Sequence, residues 1–281
     1  MAQYTYEQIE KRVVELTNLP TLPTILNKIS KMTESKDTSA ADVADLISSD
    51  QVLASKVLRV VNSPVYGFPG RISNITHAVV LLGFSVIKGM VLATAVFDKI
   101  GKQGQGLWQH SLGCALMSRR IAKEINLPDI EEVMIAGLLH DLGKVVLSFL
   151  YPKTYTEAVE WAQSRHVHIS TAETEVIGVE HTRVNRMLAQ EWHFPERLAE
   201  PMIYHHLPSR AKNNQDVADI VHIANILTRA MGYGFPCDYA MPTLEHESFH
   251  RLNVSFEQID RILQDTESEF ESGAGIFGEM E

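Results

Sequence analysis

Apolar residues recur along most of this chain at the three-and-four spacing of helices. Over residues 6–17, Ile9, Val13, Val14 and Leu16 fall on one helical face, and Pro20 and Pro23 then end the pattern. Residues 24–33 resume it through Ile25, Leu26 and Ile29. Ser39, with Asp42 three residues on, forms an acidic variant of the capping box and opens a helix through Val43, Leu46 and Ile47. A further helix covers 51–61 and is closed by Asn62, Ser63 and Pro64. The stretch SPVYGFPGRIS, 63–73, holds two Pro and two Gly and is read as an irregular loop on which Tyr66 and Phe68 pack. A short helix over 75–82 ends at Gly83, and another follows through Val86, Val91 and Val96.

The Gly- and Gln-rich GKQGQG, 101–106, lacks apolar periodicity and reads as a linker. After it the pattern predicts helices near 107–125, 130–147, 152–166, 170–191, 195–204, 215–231 and 255–272, with a frayed end over 271–281. Neither an alternating strand pattern nor an internal repeat is present. The expected fold is all-α: an N-terminal helical subdomain over 1–100 packed on a helical bundle over 101–240, then a C-terminal helix and tail over 241–281.

Composition narrows the class. An apolar fraction of 45% and a charged fraction of 21% are ordinary for a folded globular chain. A formal charge of -10 argues against a general nucleic-acid coat, because polyphosphate binding needs a basic surface. Cys114 and Cys237 are far apart and outside any CxxC pair, so neither a disulfide framework nor a cysteine zinc site is expected. The polar start MAQYTYEQIEKRV has no signal core, and no uninterrupted apolar run reaches the ~20 residues of a membrane span. The expectation is a cytoplasmic protein with no membrane contact.

Of the twelve histidines, few lie beside apolar helical runs. His140 and Asp141 stand between VMIAGLL and LGKVVLSFL, which puts an ionisable pair in the middle of a buried helix, where a carboxylate needs a partner or a metal. Lys144 follows at i+4 and i+3, so all three can face one pocket. His205 and His206 follow LAEPMIY; on a helix their rings diverge by about 100°, reaching different parts of a pocket or two metals. His181 lies within a helix, and His110 opens the first helix after the linker. His77, His166, His168, His193, His222, His246 and His250 read as ordinary surface or hydrogen-bonded residues. Arg119, Arg120 and Lys123 form a basic face, read as solvated surface with anion binding as the alternative.

The ordered set His110, His140 with Asp141, His181, His205 with His206 resembles the HD superfamily of metal-dependent phosphohydrolases, including its two-metal HD-GYP group, and HDLGK at 140–144 is similar to the central motif of those enzymes. The N-terminal half, through LPTLPTILNKI, DVADLISSDQVLASKVLRVVNSPVYG and ISNITHAVVLLGFSVIKGMVLA, resembles the HDOD family, a relative found in bacterial regulators and often lacking catalytic residues. The resemblance covers roughly residues 15–230.

It implies that His110, His140, Asp141, His181, His205 and His206 hold metal, that Asp141 belongs to the catalytic set and that Lys144 contacts a substrate phosphate. The GYP segment is absent, LPSRAKNNQDVADI standing after the double histidine, and the last ligand position, an aspartate in active enzymes, falls on Asn225, or on Asp219 in a shifted register. Nitrogen-rich ligation favours one or two divalent transition-metal ions (iron, manganese, zinc, nickel or cobalt) over magnesium or calcium. With Asp141 as the one carboxylate, a second ion is expected to bind weakly. The resemblance implies a signalling module with weak or absent catalysis, working with a kinase, receptor or cyclase or with a phosphate-containing small ligand. A metal-dependent phosphohydrolase acting on a cyclic dinucleotide or another phosphodiester is the alternative. The loop over 63–73 is a candidate docking contact, with core packing the favoured reading.

Overall fold

The computed structural model describes residues 2–17, 28–29, 32, 38–62, 72–100 and 105–278, and no strand occurs among them. Its helices are α1 (Tyr6–Thr17), α2 (Ala40–Ser48), α3 (Gln51–Val61), α4 (Ile75–Ile100), α5 (Gln105–Glu124), α6 (Ile130–Leu139), α7 (Leu142–Leu150), α8 (Pro152–Arg165), α9 (Ile169–Ala172), α10 (His181–Glu191), α11 (Glu196–Tyr204), α12 (Gln215–Ala230), α13 (His246–Leu252) and α14 (Phe256–Gly278). A π-helical turn covers Glu173–Ile177 and a 3-10 turn covers Pro208–Arg210.

Local chemistry sets several of these boundaries. Ser39 accepts from the Asp42 amide while the Asp42 carboxylate accepts from the Ser39 amide, closing the expected box at the start of α2. Asp50 caps α3 through Val52 and Leu53. Gly83 interrupts α4 at φ 81°, a left-handed conformation that glycine adopts without a Cβ clash.

The core gathers around α5, which packs on α6, α12 and α14. Leu116, Met117 and Ile121 of α5, Ile135 and Leu139 of α6 and Val217, Ile220 and Val221 of α12 are fully buried. Each such side chain contributes about 1.5–3 kcal/mol over exposure to water. Helix α4 joins α2 and α3 to α6 and α7, and α1 lies on α10. The stretches Ile75–Phe97 and Ile130–Leu150 are long and apolar enough to cross a membrane by composition, but 72% and 83% of them are buried inside the bundle. Cys114 and Cys237 are both free and buried.

Several expectations change. The predicted continuous helix over 130–147 is two helices with His140 and Asp141 between them, and 170–191 is α9, a π turn and α10. Gln105 and Gly106, read as linker, are helical, and α13 had no counterpart in the periodicity. The expected frayed end is helical through Gly278. Of the 24–33 helix, 28, 29 and 32 are helical; the rest of it, most of the 63–73 loop with Tyr66 and Phe68, and residues 101–104 lie outside the described residues.

Candidate metal centre

The break between α6 and α7 is built by hydrogen bonds from elsewhere in the fold. Asn185 of α10 donates to the His140 carbonyl at 2.5 Å and to the Met202 carbonyl at 2.8 Å, and its Oδ1 accepts from the Gly143 amide at 2.7 Å. One side chain thus satisfies backbone groups at the interrupted helix and ties α7, α10 and α11 together. A Cβ on Gly143 would collide with the His181 carbonyl, so glycine there allows α7 and α10 to meet.

The second break brings in His181. The turn ends at Gly178, with φ 114°, and His181 is the first residue of α10 rather than an interior one. The buried Glu173 accepts from the His181 amide at 2.8 Å, from its Nδ1 at 2.6 Å and from the Tyr155 hydroxyl at 3.2 Å. Helix α11 stops at Tyr204, so His205 and His206 follow its end. Their rings therefore converge, with Nε2 atoms 3.0 Å apart, instead of diverging as expected.

His110, His140, Asp141, His181 and His205 are fully buried around one point. Asp141 Oδ2 lies 3.3 Å from His140 Nε2 and 3.6 Å from His110 Nε2; Oδ1 lies 3.5 Å from His181 Nε2 and 3.7 Å from His205 Nε2. His206 Nε2 is 3.2 Å from His181 Nε2. Two groups suited to a cation result: His110, His140 and Asp141, and His181, His205 and His206.

The tautomers argue for a cation. His140 Nδ1 donates to the Gly137 carbonyl, His205 Nδ1 to the Met202 carbonyl and His181 Nδ1 to Glu173. In the neutral rings each Nε2 then presents a lone pair toward a carboxylate. The separations exceed a good N–H···O bond and match donors that share an ion at roughly 2.0–2.2 Å from each. His110 Nδ1 and Nε2, His140 Nε2, Asp141 Oδ1 and His206 Nδ1 are buried without a hydrogen-bond partner. The donor set and these orphaned atoms fit a divalent transition metal.

Burial depresses the pKa of His110, His205 and His206 well below the usual histidine value, keeping them neutral and ready to ligate. At His140 burial acts the same way, but the Asp141 carboxylate outweighs it and pushes the ring up to about 10, so without an ion Nε2 holds a proton that a bound cation would displace. Burial alone would raise Asp141; His140 and Lys144 hold it well below the usual range.

Lys144, expected to contact a substrate phosphate, has its Nζ bonded to Asp141 Oδ2 at 2.7 Å and to the Pro236 carbonyl at 3.2 Å, and is 1% exposed, so here it balances charge inside the cluster. Asp219 is engaged by Ser248 at 2.7 Å and by Arg251 at 2.6 and 2.7 Å. Asn225 is buried, its Oδ1 without a hydrogen-bond partner. Arg119 pairs with Glu131, and Arg120 with Asp265 and Glu269.

Glu173 and Asn185 escape a sequence reading: each is a polar residue in a helical pattern, and its importance arises from partners outside its own helical turn. His168 escapes it too, read as ordinary. Its ring lies 4.7 Å from that of His206, with Nε2 buried and unpartnered. His222 keeps its ordinary role, donating to the His205 carbonyl at 2.8 Å and accepting from the Glu245 amide at 3.0 Å. A pocket of about 370 Å³ opens at His206.

Comparisons with known proteins agree with this architecture. A family model for the HDOD domain matches residues 19–208. A solved HDOD domain protein of unknown function from Geobacter sulfurreducens is 26% identical, with a TM-score of 0.71 over 92% of each chain. A proposed phosphohydrolase from Shewanella amazonensis SB2B is 20% identical, with a TM-score of 0.69 over 95% of this chain and 97% of that one. A proposed signal transduction protein from Marinobacter aquaeolei VT8 is 19% identical, with a TM-score of 0.69 over 99% of this chain and 62% of that one. At those identities the last two speak to the fold alone. An uncharacterized protein from Treponema pallidum (strain Nichols) is 27% identical over 241 residues; the match takes in 84% of this chain and 46% of that protein, so the chain spans about half its length.

Proposed function

The chain belongs to the HDOD domain family, and from that premise we propose that it is a regulatory module whose histidine and aspartate centre binds one or two divalent transition-metal ions, with hydrolysis weak or absent. The observation that supports this most is the convergence of four imidazole Nε2 atoms on Asp141 at 3.3 to 3.7 Å in a fully buried spot. His110, His140 and Asp141 would hold one ion and His181, His205 and His206 another, with Asn225 a neutral amide ligand. Such an ion supplies Lewis acidity, polarising phosphoryl oxygens and acidifying water.

Charge favours the non-catalytic reading. Two ions bring four positive charges and Lys144 a fifth, against Asp141 within the cluster and Glu173 behind His181. The second ion therefore binds weakly unless an anion joins it. Lys144, bonded to Asp141, must leave that contact before it can neutralise charge on a reacting phosphate. The partner in this role is a kinase, receptor or cyclase, or a phosphate-containing small ligand.

The alternative is a metal-dependent phosphohydrolase. Two ligand groups sharing one centre and a pocket reaching His206 favour it. Turnover of a panel of phosphomonoesters, phosphodiesters and cyclic dinucleotides, with added manganese or iron, separates the two. The regulatory reading expects tight metal binding by calorimetry, lost in His140→Ala, and no turnover above the blank. Steady hydrolysis abolished by His140→Ala would establish the enzyme instead.

A further inference from the structure

The pocket at His206 lies between the start of α10, the end of α11 and the turn Pro208–Arg210. Arg183, Arg186 and Arg210 line it against one carboxylate, Glu180. That excess runs against a chain with 35 acidic and 25 basic residues. Of the four cations that the sequence offers for anion binding, three are engaged elsewhere: Lys144 with Asp141, Arg119 with Glu131, Arg120 with Asp265 and Glu269.

The pocket arginines have little acidic compensation among the described residues. Arg183 and Glu180 are 3.9 Å apart with side chains 65% and 38% exposed, a contact worth little in water. Arg186 donates to the neutral Tyr204 hydroxyl at 3.1 Å and lies over its ring at 5.4 Å. Arg210 has no carboxylate partner among the described residues. Three guanidinium groups facing one cavity repel one another until an anion joins them.

Behind His206, outside the residues that line the pocket, stands one further donor. His168 Nδ1 accepts from the Ser170 amide at 3.3 Å, which puts the ring proton on Nε2, buried beside His206, 4.0 Å from Asp238 Oδ2 and without a hydrogen-bond partner. A cavity of about 370 Å³ suits a small molecule rather than a folded partner.

We propose that this pocket binds a phosphate ester of small-molecule size, held by Arg183, Arg186 and Arg210 and directed toward the ion at His206. Planar guanidinium forks match phosphate oxygens. A phosphate monoester carries about -1.5 to -2 charges near neutral pH, enough to answer several cations at once, whereas a carboxylate carries one. The inference rests on the metal reading above.

The test titrates phenyl phosphate, and phenol as its neutral counterpart, into the full chain by calorimetry. Metal-loaded and chelator-treated samples are compared, with the metal content of each measured. Wild-type protein binds phenyl phosphate and not phenol. The double variant Arg186→Gln, Arg210→Gln keeps its thermal unfolding and metal content but loses about tenfold or more in affinity, with and without metal; Lys123→Gln changes neither. Equal affinity of the double variant and wild type, or equal binding of phenol, overturns the pocket assignment. A wild-type chain that takes up no metal but binds in an arginine-dependent way overturns the metal reading and leaves the pocket standing.

Discussion

His181 cannot turn freely, because Glu173 accepts its Nδ1–H at 2.6 Å and its backbone amide at 2.8 Å. The pair fixes the tautomer and aims the Nε2 that faces His205, His206 and Asp141. Glu173→Gln keeps an acceptor but removes a buried charge. Affinity for manganese or zinc in competition with a chromophoric chelator should then fall about 10–100-fold, with circular dichroism unchanged; unaltered affinity would show that Glu173 serves folding alone. At this scale the sequence singled out the side chains that cluster and was silent on their supports. His140 and Asp141 stood out as ionisable groups between apolar runs. Glu173 sits in ETEV, a surface-like pattern, and meets His181 only because a π turn and a chain break bring them together.

Helix ends, rather than helix interiors, carry the centre. Asp141 precedes α7, His181 begins α10, and His205 and His206 follow α11. Periodicity located α1, α3, α11 and α12 within a residue or two because each has one apolar face and local stop signals. It ran through 130–147 and 170–191 because Asn185, from 42 and 45 residues away, and Glu173, across eight residues, satisfy backbone groups at those breaks by side-chain hydrogen bonds, to which helical spacing is blind. Another acidic side chain sets the start of α12: Glu200 accepts from the amides of Lys212, Asn213 and Asn214. Burial raises the Glu200 pKa, but these amides outweigh it and hold it below the ordinary 4.5. A depressed carboxylate contributes stability that is present above its unfolded value and lost as pH falls through its folded value. Urea unfolding should therefore show wild type losing stability on acidification below pH 4.5, and Glu200→Gln losing less over the same interval. Identical pH dependence would contradict this role.

In the whole molecule, α5, α6, α7, α10, α11 and α12 each depend on the others to place the cluster. Helix α5 supplies His110 and the α6 to α7 break supplies His140 and Asp141; the chain around α10 and α11 supplies the other three histidines. The all-α class was legible in spacing throughout the chain, and the family resemblance in the N-terminal motifs. What spacing could not give was convergence, which exists only once six helices pack. The central claim is that this convergence grips a cation, and anomalous scattering from crystals of protein purified without chelator tests it most directly. The account predicts a peak within bonding reach of Asp141 and the Nε2 atoms of at least two of His110, His140, His181, His205 and His206, absent in His140→Ala crystals. A map with no anomalous peak among these side chains, from protein that elemental analysis also finds free of transition metal, would contradict it.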